Sequence, residues 1–320
     1  MNRLTRNVIM ATTIISMVFA GKAQSQYDAQ ASQYMFLPEA FNPATVAANE
    51  RYNAVGLYRM QWAGMDGGPK SMFFAVSAPV TLLKQKHGIG VIFKDDEAGA
   101  FSTQAVTLQY AFKYKLRYGV LKLGTDIGFM NQSISSDSLN LLDGTDEYHH
   151  ASDVAIPTTS ANAMAFDVGV GATFQAEDFY VGFSTTHLTN PTFDIDERVT
   201  TSVGIASYLT GGYTYTLPNP RYTLNADIMY KTDYHDWQLD LDVRVEQDEQ
   251  WYLGAGWRIQ SALVLFGGLN IYNGLSIGYS FDLSTTKLIA GNYGSHELFL
   301  RYSFLLGKKK ANKYKSVRIL

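Results

Sequence analysis

The sequence predicts an all-β fold, a transmembrane antiparallel β-barrel of about 14 strands. The first observation behind this lies at 236–246, where Trp237, Leu239, Leu241, Val243 and Val245 alternate without a miss against Asp236, Gln238, Asp240, Asp242, Arg244 and Glu246. Successive side chains of a strand point to opposite faces, so one face here is wholly apolar and the other almost wholly charged. The second is recurrence. Tyr222, Leu224, Ala226, Ile228 and Tyr230 alternate with Arg221, Thr223, Asn225, Asp227 and Lys231, and Leu298, Leu300, Tyr302 and Phe304 with Glu297, Arg301 and Ser303. Repeats of roughly ten residues with this period mark an outer-membrane barrel. The third is composition: 21 Tyr and 18 Phe suit the aromatic girdles of a barrel, although a large β-sandwich also accommodates them.

Taken in order, residues 1–25 read as a signal peptide. Arg3 and Arg6 precede an apolar run from Val8 to Ala20, and Ala23-Gln24-Ser25 supplies small residues for cleavage. The run is too short to span a bilayer comfortably, since a spanning helix needs about 20 apolar residues, and no later run reaches that length. Residues 26–51 lack a strand period and are expected to form a periplasmic N-terminal segment. The barrel is expected over 52–306 and a basic periplasmic tail over 307–320.

The strands fall near 52–62, 70–78, 87–94, 101–114, 118–130, 163–176 and 178–186, and then near 203–217, 221–233, 236–246, 250–258, 262–269, 272–282 and 295–306. An even count places both ends of the barrel chain on the periplasmic side. In that phase the long connections 131–162, 187–202 and 283–294 face outward, and Lys115-Leu116-Arg117, Glu177-Asp178, Pro218-Asn219-Pro220 and 247–249 are short periplasmic turns. Pro79 to Lys86 is a longer periplasmic connection, and short outer connections near 234 and 260 predict an uneven rim.

The chain carries 26 basic and 29 acidic residues; without Arg3, Arg6 and Lys22 the balance is 23 against 29, a net −6. That argues against a nucleic-acid partner. Absence of cysteine rules out disulfides, thiolate metal sites and a cysteine nucleophile. The tail concentrates Lys308, Lys309, Lys310, Lys313, Lys315 and Arg318 with no acid, leaving the rest of the mature chain at −12. A solvated end and a dock for an acidic periplasmic partner or the membrane surface both fit.

Lys122, Asp126, Asp227, Lys231, Asp240, Asp242, Arg244, Glu246, Glu297 and Arg301 are expected to point inward. Unpaired charges in a narrow lumen are costly, so they pair or face water. Either an ion network around Asp240, Asp242, Arg244 and Arg301 blocks conduction or a water-filled channel runs through.

Constellations for chemistry are weak. Glu147, His149, His150 and Asp153 in the longest outer loop, with His187 in the next, are ligand types, but adjacent extended residues diverge and a solvated loop explains them. Ser295, His296 and Glu297 diverge likewise, and no G-x-S-x-G turn occurs. Gly88-Ile89-Gly90 and Gly169-Val170-Gly171 lack the third glycine of a phosphate cradle and read as small residues on crowded strand faces.

One resemblance is specific. Ser32-Gln33-Tyr34-Met35-Phe36, Asn42-Pro43-Ala44, Tyr58-Arg59-x-Gln61-Trp62-x-Gly64, Asp66-Gly67-Gly68-Pro69-Lys70 and Ser77-Ala78-Pro79, with Gly294-Ser295-His296-Glu297-Leu298 near the end, resemble the opening and closing blocks of the PorP/SprF family. The likeness extends in style over nearly all of the mature chain, although Leu37-Pro38-Glu39-Ala40 departs from the pattern and the basic tail is longer. It implies a non-enzymatic outer-membrane barrel of the type IX secretion and gliding machinery of Bacteroidetes. Such a barrel sits in outer-membrane lipid, beside periplasmic ring or lipoprotein components, and serves large secreted surface proteins. It implies no cofactor and no catalytic residue. The structural or docking positions it marks are Asn42, Pro43, Arg59, Gln61, Trp62, Gly64, His296 and Glu297. Arg59, Gln61 and Trp62 are expected on the first strand, where polar groups can knit it to the last. A small-solute porin or ligand transporter of the outer membrane is the alternative, and an outer-membrane hydrolase a third.

Overall fold

The computed structural model describes residues 28–135, 161–196, 199–248, 250–271 and 274–305. The chain forms β1 (Tyr52–Met60), β2 (Lys70–Leu82), β3 (Gln85–Ala98), β4 (Phe101–Lys115), β5 (Val120–Ile134), β6 (Ala161–Gln175), β7 (Phe179–Thr186) and a small hairpin of β8 (Thr192–Asp196) and β9 (Val199–Ser202). It continues with β10 (Ala206–Thr216), β11 (Tyr222–Thr232), β12 (Trp237–Gln247), β13 (Trp251–Arg258), β14 (Ala262–Ile271), β15 (Leu275–Ser284) and β16 (Ser295–Phe304). All except β8 and β9 join one closed antiparallel barrel of fourteen strands, as the alternation predicted. β7 pairs with β10 across the inserted hairpin, and β1 pairs with β16 to close the wall and remove its edges. The leader, the loop residues Glu147, His149, His150 and Asp153, and the tail residues Lys308, Lys309, Lys310, Lys313, Lys315 and Arg318 lie outside the described residues.

The period of two sorts the side chains. In β12, Gln238, Asp240 and Asp242 are buried while Leu241 and Val243 are exposed on the outer face. In β2, Ser71, Phe73, Ala75 and Ser77 point in and Met72, Phe74 and Val76 point out. An outer wall of exposed Leu, Phe and Val would be costly in water, whereas hydrocarbon lipid accommodates it. Pro79 to Lys86 proves to be strand and tight turn: β2 and β3 run on to a two-residue turn at Leu83 and Lys84, with φ of 51° and 64°. Both residues thus adopt the positive φ of a type I′ hairpin, whose twist matches the strands.

Residues 28–51 differ most from expectation. They do not lie in the periplasm: the segment threads the lumen, entering at the outer mouth, where Asp28 meets His187, and reaching the periplasmic end, where Val46 packs on Gly88. Leu37, Ala44 and Val46 are fully buried. A second filler is the β8–β9 hairpin, for which the sequence suggested only an outer loop. Its Phe193 and Ile195 pack against the inward-facing Ala105, Met130 and Ile134, closing the outer half of the β4–β6 side.

Candidate functional site: the filled lumen

The leading segment is held by turns that its own sequence specifies. Pro38 and Pro43 each open a 3₁₀ turn, at Pro38–Ala40 and Pro43–Thr45, where their fixed φ and missing N–H cost nothing. Asn42 caps the second of these, its side-chain oxygen accepting from the Ala44 N–H at 2.9 Å. The Asn42 amide then donates to the Thr173 hydroxyl at 3.1 Å. The wall makes room with glycine. A Cβ on Gly171 would sit 2.1 Å from Asn42 Oδ1, and one on Gly124 would sit 2.3 Å from the Ala44 nitrogen. These glycines and Gly88 face the segment, which gives the crowded strand faces a specific occupant.

Much of the wall's grip falls on the main chain of the segment. Gln109 donates to the Glu39 carbonyl at 2.8 Å, Ser184 to the Phe41 carbonyl at 2.6 Å, and Lys113 to the Ala47 carbonyl. Glu297 takes two consecutive amides, accepting from Ser32 N at 2.7 Å and Gln33 N at 2.8 Å.

Glu297 belongs to a larger cluster at the closing seam. Arg59, its partner in the β1–β16 register, donates to it at 3.4 Å and to Asp282 at 2.7 Å. Arg258 donates to Asp282 at 2.9 Å and to Asp240 at 3.2 Å. The Ser32 hydroxyl lies among them, donating to Asp282 at 2.7 Å and accepting from Arg59 at 2.8 Å and Arg258 at 3.1 Å. Every member is buried, Arg59 and Glu297 to 1% exposure. Two guanidiniums against three carboxylates nearly balance, and the hydrogen bonds through Ser32 satisfy the oxygens that the ion pairs leave over, as a desolvated cluster requires.

The outer end has its own latch. His187, at φ 58° just after β7, shares its ring between Asp28 at 3.1 Å and Asp167 at 2.7 Å, and Tyr208 donates to Asp28. Burial opposes the imidazolium, yet the Asp28 charge and the bonds to Asp167 and Asp28 push His187 up to about 10. Burial likewise opposes the Asp28 carboxylate, but His187 holds it well below the usual range. Glu39 has weaker compensation: burial dominates and raises it to about 7, with only its own backbone and the charge of Arg301 opposing.

The other sequence-predicted positions separate. β1 ends at Met60, so Gln61 and Trp62 are not on the first strand but in the turn after it, where Trp62 has φ 52°. The Trp62 N–H donates to Ser295 Oγ at 3.1 Å, and Ala63 and the 293–294 backbone exchange bonds of 2.8 Å. Gly64, at φ 88°, leaves the space that the Tyr293 ring fills, 2.5 Å from where a Cβ would stand. The two motif blocks are therefore tied at the outer end of the seam. His296 points away from Glu297 to the outer face, 2.6 Å from the Tyr279 hydroxyl, so Ser295, His296 and Glu297 do not converge.

The four lumen charges Asp240, Asp242, Arg244 and Arg301 do not form one network. Asp240 joins Arg258, Arg244 bonds Asp227, and Arg301 donates to Ser276 at 3.4 Å. Arg244 and Arg301 instead flank the Phe36 ring of the leading segment at 5.3 and 5.7 Å from its centroid. Asp242 is buried on the same wall, its Oδ1 filling the space beside Gly256. Sequence reasoning missed Ser32, Asp282, Arg258 and His187 as members of a site. Asp282 and Arg258 stand at inward positions of alternating strands, which was the signal available for them. Above the segment an open vestibule of about 670 Å³ remains at the outer mouth, lined by Gln30, Gln61, Trp62, Asp96 and Gln238 among others.

Comparison with known proteins gives a family match over residues 23–302, to the family described as type IX secretion system membrane protein PorP/SprF. No curated protein matches. Among solved structures, the outer membrane protein Omp33 of Acinetobacter baumannii aligns at 9% identity and a TM-score of 0.48, covering 80% of this chain and 98% of that one. The toluene transporter TodX of P. putida aligns at 11% identity and 0.44, covering 82% and 92%. The translocator domain of the autotransporter NalP of Neisseria meningitidis aligns at 11% and 0.43, covering 80% and 88%.

Proposed function

Since the chain belongs to the PorP/SprF family of type IX secretion system membrane proteins, we propose that it assists the export or surface attachment of large secreted proteins as a non-enzymatic outer-membrane barrel that acts through protein contacts. The observation that carries this reading is the filled lumen. A small-solute porin needs a continuous aqueous path, and here residues 28–51 and the β8–β9 hairpin occupy the interior, with Ser32, Asn42 and Phe193 each at 2% exposure or less. Divergence of Ser295, His296 and Glu297 further supports a role without covalent chemistry.

In this reading the leader is cleaved, and the neighbours are periplasmic ring or lipoprotein components of a secretion and gliding apparatus of the Bacteroidetes type. The basic tail docks on an acidic periplasmic partner, and the outer rim meets a large surface protein. The test is a deletion strain compared with its parent by proteomics of the cell surface and culture fluid. One or a few large surface proteins should be missing while solute uptake is unchanged. Altered uptake with a normal surface proteome would instead make the protein a porin.

A further inference from the structure

Among the described residues of the periplasmic rim, unpaired positive charge gathers in one sector. There the β2–β3 ribbon, whose Ala78–Leu82 stretch runs past the last β1 pairing at Ser77, stands beside the β4–β5 turn. The two turns carry Lys84 and Arg117, and Lys115 ends β4 beside them; none of the three has an ion-pair partner among the described residues, while the neighbouring Lys86 is bound to Glu50 at 2.6 Å. Among the described residues elsewhere on the rim, the β6–β7 turn holds Glu177 and Asp178, and Arg221 is paired with Asp248 at 2.7 Å.

The same sector is apolar on its membrane side. Leu82, Leu83 and Tyr114 are exposed, Leu83 to 89%, and Leu82 shares the outward parity of Met72, Phe74, Val76 and Val80 on β2. Tyr118 is exposed as well, with the Arg117 guanidinium 5.2 Å over its ring. An apolar band that ends in tyrosines and is bordered at once by unpaired cations matches the layering of acyl chain, interface and charged headgroup. Long basic side chains reach from such a position to phosphate oxygens while their stems stay against the apolar face.

We infer that the periplasmic ends of β2–β5 form a docking site for an anionic phospholipid of the inner leaflet, its phosphate met by Lys84, Lys115 and Arg117 and its acyl chains lying along Leu82 and Tyr114. A lipid fits better than an acidic protein because the apolar part of the surface is continuous with the lipid-facing wall.

The test is native mass spectrometry of the purified full-length protein in detergent, titrated separately with phosphatidylglycerol and phosphatidylcholine of the same acyl chains. The unaltered protein should retain on the order of a hundredfold more phosphatidylglycerol, and the preference should fall by about fivefold for each cation removed, the attraction expected of one Lys or Arg at an anionic surface. Lys84→Gln, Lys115→Gln and Arg117→Gln combined should abolish it, whereas Arg221→Gln on the far sector should leave it intact. All variants should still migrate faster on gels when unheated than when boiled, as folded barrels do, because the changes lie in exposed turns and at an exposed strand end. Equal uptake of the two lipids by the unaltered protein, or an undiminished preference in the triple variant, overturns the proposal. Equal uptake accompanied by loss of an acidic periplasmic protein from the triple variant would make the surface a protein dock, and overturns it equally.

Discussion

Arg59 and Glu297 face each other in register across the β1–β16 seam, 3.4 Å apart and almost wholly buried, while the same Glu297 carboxylate accepts the Ser32 and Gln33 amides of the lumenal segment. Barrel closure and seating of the segment are therefore one event: without the segment the carboxylate loses two donors, and without closure it loses its guanidinium. Removing Glu297 leaves Arg59 its closer partner Asp282 but strips the buried Ser32 and Gln33 amides of their acceptor, and each buried donor left unsatisfied costs about 1–3 kcal/mol. Glu297→Ala should accordingly lower by many degrees the temperature at which the compact, fast-migrating gel form is lost. An unchanged midpoint would show that the seam does not clamp the segment.

A gentler probe acts through space alone. Gly171→Ala adds one methyl where Asn42 Oδ1 stands 2.1 Å away, and neither the capped turn nor the wall strand can yield cheaply. Overpacking of this kind costs about 1–3 kcal/mol. The barrel should still form, but residues near Asn42 should be cut faster by protease from the periplasmic face. Unaltered cleavage and an unaltered melting midpoint would place the segment elsewhere.

The wall and its contents were unequally legible in the sequence. The wall is local information: lipid on one side forces a two-residue period on each strand, and Trp237 to Val245 displays it without reference to anything else. Residues 28–51 have no such period, because their environment is the inner surface of the whole barrel, and Ser32 meets Asp282 and Glu297 from about 250 positions away. The available signal lay on the wall. Gly88, Gly124 and Gly171 stand at inward positions, and a strand surface that repeatedly gives up its side chains implies something packed against it. Alternation assigns the β12 charges to a face, and Asp240 and Asp242 are buried there, but it carries no information on partners, since Asp240, Arg244 and Arg301 bond across strands or flank Phe36 rather than one another.

Conduction tests the filling directly. Reconstituted in planar bilayers, the unaltered protein should conduct poorly, because the segment and the β8–β9 hairpin occupy the lumen. Arg244→Ala removes both the ion pair to Asp227 and one of the two cations flanking Phe36. The ring contact alone contributes about 0.5–2 kcal/mol, so the variant should open more often or melt earlier. Large steady channels from the unaltered protein would contradict a filled lumen.

The last prediction concerns pH. Glu39 is buried in the lumenal segment, and burial raises its carboxyl from 4.5 to about 7 in the folded state. A raised acid pKa means that the folded protein favours the protonated form. This contribution to stability is complete below about 4.5 and is lost as pH rises through about 7. His187 behaves differently over the same range: with its pKa raised from 6.5 to about 10, its contribution is complete below 6.5 and vanishes only as pH rises through about 10. Between pH 4.5 and 7 the changing group of the pair is thus Glu39, and the loss amounts to at most about 3 kcal/mol. The melting midpoint of the unaltered protein should fall across this interval, and Glu39→Gln, which keeps the shape and cannot ionise, should flatten the profile and raise stability at neutral pH. His187→Gln should lower the midpoint throughout without removing the slope. Parallel profiles for the unaltered protein and Glu39→Gln would show that the carboxyl is not desolvated and that water reaches the segment.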